Sequence, residues 1–129
     1  MSVVQILLLV LFALIVFVQI KKYLVKRSVK HYSAAEAAEK VKGSRNVLLL
    51  DVRTAQERKV SMIKGSFHIP VHEIGTRIGE LNKFKDKEII CYCRTGNRSV
   101  SAASKLKKHG FNSANLLGGI NAWNAKGFK

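Results

Sequence analysis

The stretch that decides the fold is Ile89-Ile90-Cys91-Tyr92-Cys93-Arg94-Thr95-Gly96-Asn97-Arg98-Ser99. Its first four residues form a continuous apolar run, which predicts a strand at 89–92 that is buried on both faces. A helix is expected to begin near Ser99, because apolar side chains then recur at helical spacing, at Val100, Ala103 and Leu106. The loop between them therefore lies at the carboxyl end of a strand, where open α/β sheets bind ligands.

Cys93 is the residue of this loop that can act as a nucleophile. It faces the amino end of the following helix, where unpaired N–H groups and the helix dipole favour an anion. Arg94 and Arg98 add positive charge, so we expect a depressed pKa for Cys93 and a thiolate at neutral pH. Arginine also pairs with the oxygens of anionic substrates, and Gly96 suits a strained turn that directs amides toward the sulfur. The alternative is that Cys93 is a small buried apolar side chain.

Cys91 is the only other cysteine of the chain. It lies inside the predicted strand, where it either packs in the core or serves as a resolving thiol. A single residue separates the two cysteines, which is a poor spacing for a relaxed disulfide. We therefore expect free thiols and a reducing compartment.

The rest of the chain beyond residue 31 alternates between strand and helix patterns. Asp51 interrupts an otherwise continuous apolar run that predicts a buried strand over 47–52. Segment 54–66 has no clean period and is expected to be loop with a short helical turn. The other predicted elements are a helix over 34–42, an amphipathic helix over 73–82, a short strand over 115–117 and a last helical turn holding Trp123. This alternation predicts an α/β fold, with a parallel sheet flanked by helices on both faces.

The first 20 residues are a candidate membrane anchor. From Val3 to Ile20 the polar residues are Gln5 and Gln19, and as a helix the run would span about 27 Å, close to the hydrocarbon thickness of a bilayer. A basic start and a small-residue cleavage site are missing, which favours an uncleaved anchor over a signal peptide or a buried core helix. We therefore predict a single transmembrane helix over 1–20.

The residues that follow the apolar run set the expected orientation. Segment 21–31 is basic, contains no acidic residue and carries Tyr23 at interfacial depth, which is typical of a juxtamembrane linker in contact with lipid. The positive-inside rule places this end in the cytoplasm and the amino terminus outside. We therefore divide the chain into an anchor over 1–20, a linker over 21–31 and one cytoplasmic domain over 32–129.

The net charge of the chain is +15, from 23 Lys and Arg against 8 Asp and Glu. Such a balance favours anionic partners such as lipid headgroups or small oxyanions, or reflects only a solvated basic surface. The basic stretches carry no nucleic-acid recognition motif, and the four histidines have no zinc-site spacing, so we expect neither nucleic acid nor a metal. No oligomeric state follows from the sequence.

Several motifs in order resemble the rhodanese family over about residues 32–128. They are Leu-Leu-Asp-Val-Arg at 49–53, Glu57, Ile63 with Gly65, Ile69-Pro70, Cys-Arg-Thr-Gly-Asn-Arg-Ser at 93–99, Gly110-Phe111, and Gly118-Gly119-Ile120 with Trp123. The layout, an anchor followed by one domain, resembles small membrane-anchored rhodaneses of bacteria. That resemblance implies a place in the bacterial inner membrane.

The resemblance implies a sulfurtransferase that carries sulfane sulfur as a persulfide on Cys93, needing no cofactor. The loop residues Arg94, Thr95, Gly96, Asn97, Arg98 and Ser99 would bind the substrate and stabilise the persulfide. Asp51 and Arg53 would brace the site, or form an ion pair with a structural role alone. The implied donor is a small anion such as thiosulfate, and the implied acceptor is cyanide, a thiol or a sulfur-carrier protein.

Two rival functions and one departure from the family pattern accompany this interpretation. One rival is a membrane-tethered docking or sulfur-relay module. The other is an arsenate reductase or phosphatase. These enzymes resemble rhodaneses but have a loop one residue longer than the six residues from Cys93 to Arg98. Met62 occupies the position where the family commonly has histidine, which affects packing near the site.

Overall fold

A computed structural model describes residues 1–43 and 46–128 of the chain. The helices are α1 (Val3–Ser28), α2 (Ala34–Gly43), α3 (Ala55–Val60), α4 (Ile74–Arg77), α5 (Asn97–Lys108) and α6 (Gly119–Ala125). The strands are β1 (Lys30–Tyr32), β2 (Val47–Asp51), β3 (Phe67–His68), β4 (Glu88–Tyr92) and β5 (Asn112–Leu116). Short 3-10 helices at Val71–Glu73 and Ile78–Phe84 flank α4.

The strands form one parallel sheet in the order β1-β5-β4-β2-β3. Central β4 pairs with β2 on one side, Leu50 opposite Cys91, and with β5 on the other, Cys91 opposite Asn115. The predicted α/β fold with a parallel sheet is confirmed. Because every strand runs the same way, their carboxyl ends lie at one edge of the sheet, together with the loop that follows β4.

Helices cover both faces of the sheet, as predicted. Side chains alternate along β4, so that Cys91 and Cys93 face one side while Ile90 and Tyr92 face the other. On the first face α4 and α5 contribute Ile74, Ala102, Ala103 and Leu106. On the second face α2 and α6 contribute Ala34, Ala37, Ala38, Ile120 and Trp123.

Some elements differ from the prediction. The strand expected at 115–117 is longer and begins earlier, at Asn112, because the buried hydroxyl of Ser113 donates to the carbonyl of Ala103 and so satisfies a polar residue inside the sheet. The helix expected over 73–82 is one α-helical turn between two 3-10 segments. Gly75 and Gly79 lower the helix propensity of this stretch. Strand β1 has no counterpart among the predicted elements.

Helix α1 is long and apolar enough to cross a membrane, a property it shares with signal sequences. The segment 21–31, expected as a linker, is helical through Ser28 and then enters β1. Val29 is buried in the core, and the Lys107 ammonium donates to the carbonyl oxygen of Ser28 over 2.8 Å. The end of α1 is therefore attached directly to the domain.

Candidate functional site

Cys93 follows β4 directly, at the carboxyl edge of the sheet, and is 1% exposed. The backbone N–H of Ile120 donates to the carbonyl oxygen of Cys93 over 2.9 Å, and that of Asn121 donates to the Arg94 carbonyl over 3.2 Å. Gly119 lies so close that a Cβ there would overlap the Cys93 carbonyl oxygen. The start of α6 therefore holds the cysteine loop in place, which requires glycine at position 119.

The loop directs hydrogen-bond donors at the sulfur of Cys93. The backbone N–H of Gly96 donates to Sγ over 3.1 Å, in a left-handed conformation with φ +110°. The hydroxyl of Ser99 lies 3.3 Å from Sγ. Burial disfavours the thiolate, but hydrogen bonds from Ser99, Gly96 and Thr95 outweigh it and lower the pKa of Cys93. The expected depression is present. Its main sources are the backbone amides, as expected, and the Ser99 hydroxyl, while the arginines that we had also expected to contribute are not among them.

A chain of hydrogen bonds extends from this hydroxyl to the end of α1. Ser99 Oγ lies 2.5 Å from Asn115 Oδ1, so the single proton of this hydroxyl is shared between Asn115 Oδ1 and Cys93 Sγ. The Asn115 amide nitrogen lies 3.1 Å from His31 Nδ1. The other ring nitrogen of His31 lies 2.8 Å from the Lys26 carbonyl oxygen. Neutral His31 with its proton on Nε2 satisfies both contacts, accepting from Asn115 and donating to Lys26. The reactive sulfur is thus linked to α1 through the buried side chains of Ser99 and Asn115 and the partly buried ring of His31.

Ser99→Ala should raise the pKa of Cys93, because it removes a hydroxyl donor and leaves burial unopposed at that point. Alkylation of Cys93 by iodoacetamide at neutral pH should slow roughly tenfold, as expected for a lost hydrogen bond to a charged acceptor. The measurement is alkylation rate against pH. The matched control is Ser101→Ala, because Ser101 lies two residues further along α5 and is exposed. An unchanged midpoint in Ser99→Ala would assign the low pKa to the backbone amides alone.

The two arginines of the loop have different environments. Arg98 donates to both carboxylate oxygens of Glu57, over 2.7 and 2.8 Å, and this pair lowers the pKa of Glu57 to about 2. Attraction to Glu57, and more weakly to the Cys93 thiolate, raises the pKa of Arg98. Arg94 is exposed and, within residues 1–43 and 46–128, makes no side-chain hydrogen bond or ion pair. Arg94 is therefore the guanidinium available to a ligand, whereas Arg98 is committed to α3.

Asp51 and Arg53 form a buried ion pair at the end of β2. Arg53 Nε and Nη2 donate to the two Asp51 oxygens over 3.0 and 2.9 Å, and Arg58 adds a third donor over 3.1 Å. Arg53 also donates to the Ser61 carbonyl and packs over the Tyr92 ring, 5.6 Å from its centroid. The pair therefore ties β2 to β4 and to the segment that begins at Ser61.

The segment containing Met62 is held by its backbone and by Tyr92. The Tyr92 hydroxyl accepts from the Ile63 N–H over 3.2 Å and lies 2.9 Å from the Ser66 hydroxyl. Ile63 is buried, whereas the Met62 side chain is 44% exposed. Met62, the position where a histidine is common in rhodaneses, thus lies at the surface.

Cys91 is fully buried two residues before Cys93 and faces the same side of the sheet. Burial raises its pKa strongly, with a smaller contribution from the neighbouring Cys93 thiolate. This environment keeps Cys91 as an uncharged thiol and agrees with a packing role.

Sequence reasoning missed Asn115 and His31 as neighbours of the reactive sulfur. In the sheet these two residues lie opposite each other on β5 and β1. The available signal for Asn115 was a polar side chain in a predicted strand that ends beside the loop. Nothing in the sequence around His31 indicated its contact with Asn115, because that contact depends on the pairing of two strands 84 residues apart.

Comparison with known proteins gives consistent matches. The Rhodanese-like domain family matches residues 33–126. A sulfurtransferase of Allochromatium vinosum is 34% identical over 96 residues, which cover 74% of this chain and 88% of the relative. A rhodanese-related protein of Thermoplasma volcanium has a similar structure, with a TM-score of 0.71 at 31% identity over 78% of this chain and 95% of its own. A Rhodopseudomonas palustris protein of unknown function, described as a possible tyrosine phosphatase, has a TM-score of 0.74 at 26% identity, covering 84% and 89%.

Proposed function

The chain belongs to the Rhodanese-like domain family, and on that premise we propose that it is a sulfurtransferase whose sulfur carrier is Cys93. The observation that carries this proposal is the lowered pKa of a thiol surrounded by the Gly96 amide and the Ser99 hydroxyl. A thiolate at the bottom of such a loop is an activated nucleophile, and the same donors stabilise the terminal charge of a persulfide.

The first half-reaction takes sulfur from a donor such as thiosulfate. The Cys93 thiolate attacks the outer sulfur, the sulfur–sulfur bond of thiosulfate breaks, and its electron pair leaves with sulfite. The products are a Cys93 persulfide anion and sulfite, so charge and atoms balance. Arg94, the unpaired guanidinium of the loop, binds the sulfite oxygens, and Arg98 contributes positive charge from its place beside Glu57.

The second half-reaction passes the sulfur to an acceptor. An acceptor thiolate, or cyanide, attacks the terminal sulfur of the persulfide, and the electron pair of the breaking bond returns to Cys93 Sγ. The acceptor becomes a persulfide or thiocyanate. The amide of Gly96 and the hydroxyl of Ser99 stabilise the departing thiolate and so favour this step.

Two features favour sulfur transfer over phosphate or arsenate chemistry. Only six residues run from Cys93 to Arg98, which leaves little room for a tetrahedral oxyanion. Both Nη groups of Arg98 are also occupied by Glu57, so this arginine is unavailable for a bidentate grip on phosphate oxygens.

We place the enzyme at the cytoplasmic face of a membrane, held by α1. The helix is apolar over its first 20 residues and has no buried residue, and the basic residues that follow suit the cytoplasmic side. Protease treatment of intact spheroplasts should leave the domain uncut, whereas inverted membrane vesicles should lose it. Cleavage in spheroplasts would reverse this orientation.

The test of the proposed function is the intact mass of the full chain, in neutral detergent, after incubation with thiosulfate. We expect a gain of about one sulfur atom per chain that cyanide removes, as the nucleophilic mechanism requires. Polysulfide and a persulfidated thiol serve as further donors. If none of the three donors adds sulfur, the chain is a docking module, and partner capture from membranes becomes the appropriate experiment.

A further inference from the structure

The end of α1 and the cysteine loop enclose a cavity of about 680 Å³. Helix α1 contributes Lys21, Lys22, Val25 and Lys26 to the lining, and the cysteine loop contributes residues 95–97. This volume lies within the range of about 300 to 1,000 Å³ that is typical of small-molecule sites. It is far larger than thiosulfate requires. The backbone that surrounds the Cys93 sulfur therefore borders a space suited to a larger ligand.

The charge of this cavity is positive and unbalanced. Lys22 and Lys26 stand one helical turn apart on the same face of α1, an arrangement of like charges that destabilises a helix. Across the described ranges 1–43 and 46–128, neither ammonium group has a hydrogen-bond or ion-pair partner. No acidic residue occurs between Lys21 and Lys30. Two unpaired cations facing a cavity favour an anionic occupant.

The remaining lining suggests the form of that occupant. Val25 and Leu117 add apolar surface to the lining, and Thr95 and Asn115 add polar atoms. Asn115 is linked to Cys93 Sγ through the Ser99 hydroxyl. A ligand that fits this arrangement reaches the loop with its sulfur end, lays a short stem along the apolar surface and presents its negative groups to Lys22 and Lys26. A carboxylate suits lysine, which binds as a point charge.

From this arrangement we infer that the cavity between α1 and the cysteine loop binds a low-molecular-weight thiol, or its persulfide, that carries carboxylate groups, with Lys22 and Lys26 as its anion site. The identity of the ligand as a sulfur donor or acceptor rests on the proposed function; the anion site itself does not. The membrane helix thus contributes a substrate-binding wall in addition to an anchor.

The test uses a probe that cannot exchange sulfur, so it is independent of catalysis. The full chain, carrying Cys91→Ala so that a single thiol reacts, is placed in discs of zwitterionic lipid and alkylated with neutral iodoacetamide. Methylthiosuccinate, a thioether with two carboxylates, should slow alkylation of Cys93 in a saturable way. Methylthioethanol, which is uncharged, should protect much less.

The variant Lys22→Gln/Lys26→Gln should need about three- to tenfold more methylthiosuccinate for half protection, as expected for two partly exposed charge contacts. Glutamine keeps the helix propensity of lysine, and an unchanged alkylation rate without probe shows that the loop is intact. The matched control is Lys108→Gln/Lys126→Gln, which removes the same charge at exposed positions at the far ends of α5 and α6. In this control variant, half protection of Cys93 should need the same concentration of methylthiosuccinate as in the parent chain.

Three results would overturn the inference. The first is that methylthiosuccinate does not protect Cys93. The second is that protection weakens equally in Lys22→Gln/Lys26→Gln and in Lys108→Gln/Lys126→Gln, which would indicate long-range attraction alone. The third is protection that disappears in discs containing phosphatidylglycerol, because lipid headgroups would then occupy the lysines. If protection behaves as expected but no donor loads Cys93 with sulfur, the proposed function fails while the anion site stands.

Discussion

Cys93→Ser should lower sulfur loading from thiosulfate by at least about a thousandfold, on the scale seen when other enzymes lose their nucleophile. A serine hydroxyl at this position stays protonated at neutral pH, and the donors from Gly96 and Ser99 act on an anion that no longer forms. The measurement is the intact-mass assay, with cyanide release as the second readout.

Cys91→Ala is the matched control for this loss. Cys91 is fully buried, its pKa is raised by burial, and it lies inside β4 away from the loop donors. We expect the alanine variant to load sulfur as the parent does, after a stability loss of about 1 kcal/mol for the small cavity. Both variants must show the native fluorescence of Trp123, the single tryptophan of the chain. If Cys93→Ser still took up sulfur and Cys91→Ala did not, the sulfur carrier would be Cys91 and the assignment to Cys93 would be wrong.

Asp51→Asn should lower the free energy of unfolding by about 3 to 5 kcal/mol, the usual cost of removing one partner from a buried ion pair. Asp51 is fully buried and Arg53 is 4% exposed, so the guanidinium would stay buried without its counter-charge. The amide NH₂ of asparagine would also face the donors of Arg53 or Arg58. A loss of this size is a large share of the stability of a typical domain.

Glu57→Gln is the control that shows how much of the cost of Asp51→Asn comes from the burial of its ion pair. It also turns a carboxylate paired with arginine into an amide, but Glu57 and Arg98 are 28% and 36% exposed in their side chains. Solvent screening limits the cost to about 1 kcal/mol or less, and glutamine can still cap α3 at Thr54. Urea unfolding followed by Trp123 fluorescence measures both variants on the full chain in detergent. Equal costs for the two substitutions would contradict the bracing role of Asp51.

The same pair predicts a dependence on pH. Burial disfavours the Asp51 carboxylate, but hydrogen bonds and charge from Arg53, with Arg58, outweigh burial and lower its pKa below 3.8. The carboxylate is more acidic when folded, so its stabilisation is complete above the unfolded pKa and is lost as pH falls through the folded value. Stability of the parent should therefore fall more steeply below about pH 4 than that of Asp51→Asn. Parallel curves would show that the carboxylate contributes no acid sensitivity.

Local patterns in the sequence were sufficient for the central part of the site. The apolar run before Cys93, the glycine at 96 and the helical spacing that follows are contiguous, so they predict a strand, a tight loop and a helix without knowledge of the rest of the chain. The donors that lower the pKa of Cys93 lie within six residues of it. Chemistry that is built within one loop can be predicted from that loop.

The partners of those residues were decided by tertiary structure. Glu57 is 41 residues from Arg98 and removes this arginine from the free ligand-binding groups, an effect that charge counting along the loop does not indicate. The register of β1 against β5 brings His31 to Asn115, and β5 itself was incompletely predicted because its polar residues find partners only in the folded sheet.

The clearest division concerns α1. Its apolar run and basic flank are sequence properties that by themselves indicate a membrane anchor and an orientation. That Lys22 and Lys26 face the cysteine loop is a tertiary property, since it depends on Val29 entering the core and on Lys107 holding the end of the helix. Hydrophobic periodicity is encoded over a few neighbouring residues, whereas the contacts that complete this site join segments that only packing brings together.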